Sequence, residues 1–399
     1  MTLFKYLVFI LFILPLPGFS LSQAKWYCVA HYKKQMQQPA QQQQGYWLGS
    51  GLEYIEGFNP LSDKNPNLPL TSISEYGLNF PFLGYKPQSS YNIKNTRNLD
   101  QGTSKECFIF AFVGALESTQ LNSQKKNINY YPEYLIAQKL KYTIEGLLEF
   151  NEDQTFYNLE GGHFFHALNL TRAVGIVPEG ANWQPLKNIE HWPHFDSLYA
   201  QIREQTTQEK NYINSLNLSP YERAQQIKQK TEEIFKRVLG PHIGFLPDHF
   251  YFQGSYYTPT SFAKNHLSGS GKKITAYYLK NRQRLFHNDK IESNLPAWIK
   301  NMPEMDQTQF NNEGLRAYEF LNKIDNELKL GKSIIADLDG ETTYSIGHTM
   351  VITDIEKRGT DYISIKMKNS FKNNQDGGYI WFRVDEFLTK TRRIWTIDL

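Results

Sequence analysis

Residues 100–118 read DQGTSKECFIFAFVGALES, and the change of character at Cys107 sets the interpretation of the chain. Before Cys107 the residues are polar. From Phe108 onward they are mostly apolar, the pattern of a loop entering a buried helix. A thiol at a helix N-terminus meets unpaired N–H groups and the positive end of the macrodipole, and both favour the thiolate. Gln101, a short loop upstream, is placed to donate an amide N–H to an oxyanion forming beside the sulfur. The alternative is a small cysteine buried in a core helix. The rest of the chain decides between them.

A nucleophilic cysteine needs a base, and the base needs an orienting partner. His348 opens GHTMVITDI, where alternating apolar residues predict a strand. Asn369 follows in IKMKNSFKNNQDGGYIWF, at the end of another short strand. An imidazole at a strand start can take the sulfur's proton, and an Asn oxygen can accept the ring's other N–H. Any one of the ten histidines would be weak support alone. The ordered set of Gln101, Cys107, His348 and Asn369 is much stronger.

These stretches resemble the active-site regions of papain-like cysteine peptidases, where a Gln-Gly turn precedes the nucleophile and an Asn-Ser-Trp motif holds the base. Two further stretches resemble the bleomycin hydrolase and bacterial aminopeptidase C branch. LEGGHFFHALNLTRAVGIVPEGA is similar to its Gly-Gly segment, and EEIFKRVLG followed by FYFQGSYYTPTSFAKNHL to its EIF helix and TP-x-x-F segment. The resemblance runs from about residue 95 onward and is poorest between 185 and 230. It implies that Cys107 is the nucleophile, His348 the base, Asn369 its orienting group and Gln101 the oxyanion donor. It also implies that Gly161 and Gly162 line the subsites N-terminal to the scissile bond. Glycines there let an extended substrate approach the main chain; a tight turn before a helix is the compatible structural role.

The chain departs from the pattern in places. Phe108 and Phe371 stand where the family has Trp, keeping an apolar cover but losing the indole N–H. The loop before the nucleophile is filled by Thr103, Ser104, Lys105 and Glu106. An inward Glu106 would raise the thiol pKa, and Lys105 would oppose it. In the resembled branch a C-terminal arm with its terminal carboxylate restricts cleavage to the substrate's N-terminal end. Here the strand-like RRIWTIDL closes the sequence, so the expectation is cleavage within peptides.

Residues 1–24 pair an apolar run (6–16) with small residues near Ala24, which reads as a secretory signal peptide cleaved after Ala24. The expected setting is therefore secreted or periplasmic. About 375 residues remain after cleavage, enough for two domains or one elaborated one. A net charge of +3 gives no argument for nucleic acid or stable membrane association. The 15% aromatic content reads as core and groove lining. With two cysteines, Cys28 and Cys107, this is no disulfide-stapled scaffold; a latent Cys28–Cys107 disulfide is the rival reading. No cofactor or metal is called for, and the partners are peptide or protein substrates.

The expected fold class is α+β, a papain-like cysteine proteinase fold. Residues 25–85 form an N-terminal extension, with a Gln-rich arm at 35–44 and a possible propeptide. Residues 86–330 form a helical left domain that includes an inserted helical region at about 195–303. Residues 331–399 form a strand-rich right domain carrying His348 and Asn369. Helices are expected at 107–120, 131–150, 163–174 and 314–330, with another starting at Ser219-Pro220 and capped by Glu222. Strands are expected near 333–338, 349–354, 362–367, 378–383 and 393–397. The inserted helices read as a solvated pair. The distance in sequence from Cys107 to His348 exceeds the roughly 130–150 residues of simpler members, as an insertion requires. Two other functions fit the sequence: an exported amidase or acyltransferase of transglutaminase-like type, and an inactive binding protein on the same fold.

Overall fold

The computed structural model describes residues 46–48, 52–55, 70–75, 78–83, 88–150, 159, 161–162, 164–267, 273–279, 309–338, 347–371 and 378–397. The chain divides into two compact units, Met1–Gly57 and Phe58–Leu399. The signal-peptide reading, the Gln-rich arm and Cys28 lie outside the described residues. In the first unit, β1 (Tyr46–Leu48) pairs antiparallel with β2 (Leu52–Ile55).

The second unit opens with a hairpin, β3 (Leu70–Glu75) and β4 (Leu78–Leu83). Helix α1 (Cys107–Ser123) follows, and Cys107 through Gln120 are all buried. A helix apolar all round belongs inside a molecule rather than on its surface. Phe108, Ile109, Phe110, Phe112, Val113 and Leu116 are each at most 3% exposed. Burying each such side chain contributes about 1.5–3 kcal/mol. Helix α2 (Pro132–Glu149) starts with Pro at N1, and α3 (Phe164–Val174) ends at Gly175. A Cβ on Gly175 would lie 1.9 Å from the Pro259 backbone at a φ of +78°, so only glycine fits this stop.

Two long helices come next, α4 (Phe195–Ser215) and α5 (Pro220–Val238). The Ser219–Glu222 capping box expected from sequence is present, with both reciprocal bonds formed. The pair is solvated on one side only. Leu198, Tyr199 and Ile202 of α4 and Ile234 and Phe235 of α5 are buried, and both helices pack on α2. A short turn, α6 (Gly240–Ile243), leads to the hairpin β5 (Phe250–Phe252) and β6 (Ser255–Tyr257), then α7 (Pro259–His266).

The remaining described elements are β7 (Lys273–Leu279), β8 (Gln309–Leu315), α8 (Ala317–Lys329), β9 (Ile334–Leu338), β10 (His348–Arg358), β11 (Asp361–Lys368), β12 (Tyr379–Arg383), α9 (Val384–Lys390) and β13 (Thr391–Ile397). The strands form one seven-stranded sheet in the order β12-β11-β10-β9-β13-β7-β8, antiparallel except for the parallel β7–β8 pair. The five C-terminal strands match the sequence expectation. However, β7 and β8 precede residue 331, so the sheet also recruits chain expected to be helical. Residues 314–315, expected in a helix, close β8; the helix starts after Arg316, whose N–H bonds the Glu319 carboxylate at 2.9 Å.

Helix α1 lies against β9 and β10, and at Gly114 a Cβ would meet Val351 at 3.7 Å. The stretch before α1 is stitched to the sheet. Tyr91 and Asn92 donate backbone N–H groups to Asp354, Ser90 donates to the Ile355 carbonyl, and Gln101 to the Ser370 carbonyl. Those ties carry the chain from the sheet to the start of α1.

Candidate active site

Of the four side chains singled out in the sequence, two sit at or just before the start of α1 and two at strand ends of the sheet it packs against. Cys107, a free thiol, is the first residue of α1; His348 is the first residue of β10; Asn369 directly follows β11. All are buried, as is Gln101. His348 bonds Asn369 through Nε2 and Oδ1 at 2.7 Å. Asn369 Oδ1 also accepts the Ser370 N–H at 2.8 Å, so this atom is the acceptor and Nε2 is the donor. That assignment leaves the Nδ1 lone pair as the basic position of the neutral ring. The Phe371 ring stacks on the imidazole, with centroids 5.5 Å apart and planes 15° from parallel. It thereby fills the covering role expected of it.

Gln101 is held on two sides. Its Oε1 accepts from the Ser370 hydroxyl, and its Nε2 donates to the Ser104 carbonyl at 2.6 Å. The amide orientation is thus fixed, with a second N–H still to place.

Helix geometry and burial oppose each other at the sulfur. The helix start favours the thiolate, yet burial pushes the Cys107 thiol up to about 11. Thr349 counters with its backbone N–H and its hydroxyl, while Glu106 and Asp337 add to the rise. Burial likewise pushes His348 below its usual value, against the pull of Asn369. Desolvation therefore works against the thiolate that the helix terminus favours, and against the imidazolium as well.

Glu106 does point inward, as feared from the sequence, but Lys105 is not what answers it. Lys105 pairs with Asp196 at 3.2 Å near the surface. Lys139 of α2 donates to Glu106 at 2.6 Å, both side chains being fully buried, and the Tyr199 hydroxyl adds a bond at 3.0 Å. Lys139 also donates to the Leu159 carbonyl at 3.0 Å and lies over the Phe108 ring. With Thr103 Oγ1 accepting the Phe195 N–H at 3.1 Å, the first turns of α4 grip the nucleophile loop. The inserted helices therefore brace the site as well as facing solvent.

Gly161 and Gly162 lie beside the same loop. Gly161 has a φ of +72°, and a Cβ there would sit 3.6 Å from the Lys105 carbonyl. A Cβ on Gly162 would come within 2.6 Å of the Phe108 ring. Both glycines are required by geometry next to the nucleophile. Behind the site, Lys368 is buried and burial lowers its amine to about 8, opposed by Glu117; it donates to Thr96 O and Oγ1 at 3.2 Å.

Sequence reading missed Ser370, Lys139, Tyr199, Thr349 and Asp337. Two signals were present. Lys139 follows Leu135 by one helical turn on the apolar stripe of α2, and Ser370 stands inside the KNSF motif already quoted.

A helical lobe led by the Cys107 helix, set against a mainly antiparallel sheet carrying His348 and Asn369, is the papain-like cysteine proteinase fold. The crystal structure of PepW from Lactobacillus rhamnosis is similar with a TM-score of 0.54 at 15% identity, covering 78% of this chain and 82% of that one. SERA5E from Plasmodium falciparum gives a TM-score of 0.37 at 12% identity over 78% of this chain and 93% of that one. A structure addressing the mite allergens Blo t 1 and Der p 1 gives 0.36 at 11% identity over 79% and 72%. No protein-family model matches the chain, and no curated protein matches it in sequence.

Proposed function

We infer that the chain is a cysteine peptidase that hydrolyses peptide bonds, with Cys107 as nucleophile and His348 as base. The observation that carries this reading is the His348–Asn369 bond of 2.7 Å under Phe371, on the sheet against which the Cys107 helix packs. An Asn partner, rather than the Asp of transglutaminase-like enzymes, supports peptidase over amidase chemistry.

In this mechanism the Cys107 proton passes to His348 Nδ1 and the sulfur attacks the substrate carbonyl carbon. The oxyanion accepts the second N–H of Gln101 and the backbone N–H of Cys107, which opens the helix and has no intrahelical partner. The imidazolium then protonates the leaving amine as the C–N bond breaks. Water attacks the thioester, giving its proton to His348, and the acid product leaves with Cys107 regenerated. Asn369 holds the ring through both transfers without exchanging a proton itself.

The substrate lies extended past Gly161 and Gly162. Cleavage within chains and an exported setting, both read from the sequence, complete the proposal. Hydrolysis of one fluorogenic peptide in N-acetylated and free-amine forms, by wild type and Cys107→Ser, tests it. Turnover of both forms by wild type alone is expected. A strict need for the free amine would replace internal cleavage by aminopeptidase action, and equal rates for Cys107→Ser would overturn the mechanism.

A further inference from the structure

Lys139 of α2 reaches two stretches of chain that the proposed reaction uses. Its Nζ donates at 2.6 Å to Oε1 of Glu106, the residue before Cys107. It also donates at 3.0 Å to the carbonyl of Leu159, two residues before Gly161. The same Nζ lies 5.9 Å from the centre of the Phe108 ring. Lys139, Glu106 and Tyr199 are wholly buried, and the Tyr199 hydroxyl shares Glu106 Oε1 at 3.0 Å. The two stretches also touch directly. A Cβ on Gly162 would lie 2.6 Å from the Phe108 ring, and one on Gly161 3.6 Å from the Lys105 carbonyl. One ammonium thus ties together two segments already in close contact.

A buried ion pair is a poor device for stability alone, because desolvating both charges offsets their attraction and apolar side chains of similar volume often serve as well. What a lysine adds is direction: several N–H donors on one nitrogen can hold a carboxylate and a carbonyl from different elements at once. Helix α2 gives it a firm base, since Tyr134, Leu135, Ile136 and Ala137 are buried and the Lys139 carbonyl accepts the Thr143 hydroxyl at 2.9 Å.

We propose that Lys139 is a positioning residue that sets the distance between Cys107 and the Gly161–Gly162 segment, acting through Glu106 on one side and the Leu159 carbonyl on the other. The inference rests on the peptidase reading and extends it to what places the N-terminal side of a substrate relative to the sulfur. A peptide held along the glycines reaches the sulfur in attack geometry only if that spacing is kept, and small misplacements are costly. An acyl group that ends at the scissile residue makes no use of the glycine segment. Loss of the tie therefore penalises extended substrates selectively. Neighbouring groups do not supply the same link. Lys105 pairs with Asp196 near the surface, while Tyr199 and the Thr103–Phe195 bond hold the nucleophile turn from α4.

Hydrolysis of two N-acetylated p-nitrophenyl esters, one of a single amino acid and one of a tetrapeptide ending in that same residue, tests the assignment. The quantity read is the ratio of kcat/KM, extended over short. Glu106→Gln/Lys139→Met removes both charges together with the donor to Leu159, and the ratio should fall about tenfold, the worth of one hydrogen bond to a charged group. Glu106→Gln/Lys139→Gln removes the same charges but restores an N–H donor, and should recover most of the ratio. Glu106→Gln/Lys139→Leu, also without a donor, should match the Met variant and replaces it should that protein not fold. A purely structural role would lower both esters together. An unchanged ratio in a folded Met or Leu variant, or a Gln variant that falls as far, overturns the role of Lys139 alone. A wild-type protein that hydrolyses neither ester overturns the peptidase reading itself, and this inference with it.

Discussion

Gln101 and Ser370, 269 residues apart, are joined twice: the Gln101 N–H donates to the Ser370 carbonyl at 2.8 Å, and the Ser370 hydroxyl donates to Gln101 Oε1. Ser370 also donates its N–H to Asn369 Oδ1. One serine therefore locks together the proposed oxyanion donor and the residue orienting the base.

Gln101→Ala should lower kcat/KM by an amount equivalent to about 2.7–4 kcal/mol of transition-state stabilisation, with little change in KM. Ser370→Ala keeps the amide but frees its rotation, so a smaller loss in kcat is expected. Steady-state kinetics on one peptide substrate distinguish the two. Equal losses would mean that the Gln101 amide contributes only while the Ser370 hydroxyl holds it.

The buried Glu106–Lys139 pair gives a stability prediction. Lys139→Met leaves Glu106 charged and without its cation, which should cost about 3–5 kcal/mol in urea unfolding. The double variant Glu106→Gln/Lys139→Met should recover much of that loss. A Lys139→Met protein as stable as wild type would show that the pair contributes no net stabilisation.

The pH dependence follows from the directions of the two shifts. His348 is held below its usual 6.5, and burial pushes Cys107 up to about 11. Activity should therefore stay level through neutral pH, fall on the acid side below 6.5, and fall again only well into the alkaline range. Both limbs belong to the coupled pair rather than to either residue. Folding carries a matching sign. The folded state resists protonating His348, so its contribution to stability is full above pH 6.5 and is lost as pH falls below it. Rates of peptide hydrolysis over the pH range check this. A rate tracking an ordinary thiol of pKa about 8.5 would contradict it.

Much of this architecture was legible in the sequence because local rules and burial agree there. The apolar run after Cys107 can only be an internal helix, and the five C-terminal strands alternate or saturate with apolar residues as strands in a core must. Ser219, Pro220 and Glu222 announce a helix start by their own chemistry. Strand Gln309–Leu315 was not legible, since its polar residues in QFNNEGL show no alternation and its partner β7 lies elsewhere in the chain. The same holds at the site. Cys107, His348 and Asn369 could be proposed from residue type and order. The bracing by Lys139, Tyr199 and Asp337 could not, because it exists only once helices and strands distant in sequence are packed together. The thiol's own state belongs to this second group: a helix N-terminus is visible in sequence, whereas its desolvation is not.

The central claim is that Cys107 forms a covalent acyl intermediate with peptide substrates. Wild-type protein mixed with an activated peptide ester, quenched in acid during turnover and examined by intact mass and peptide mapping, tests it most directly. The predicted result is an acyl adduct on Cys107 that is absent from Cys107→Ala and strongly reduced in His348→Ala. Undiminished hydrolysis by Cys107→Ala, or an adduct mapping to another residue, would contradict the account.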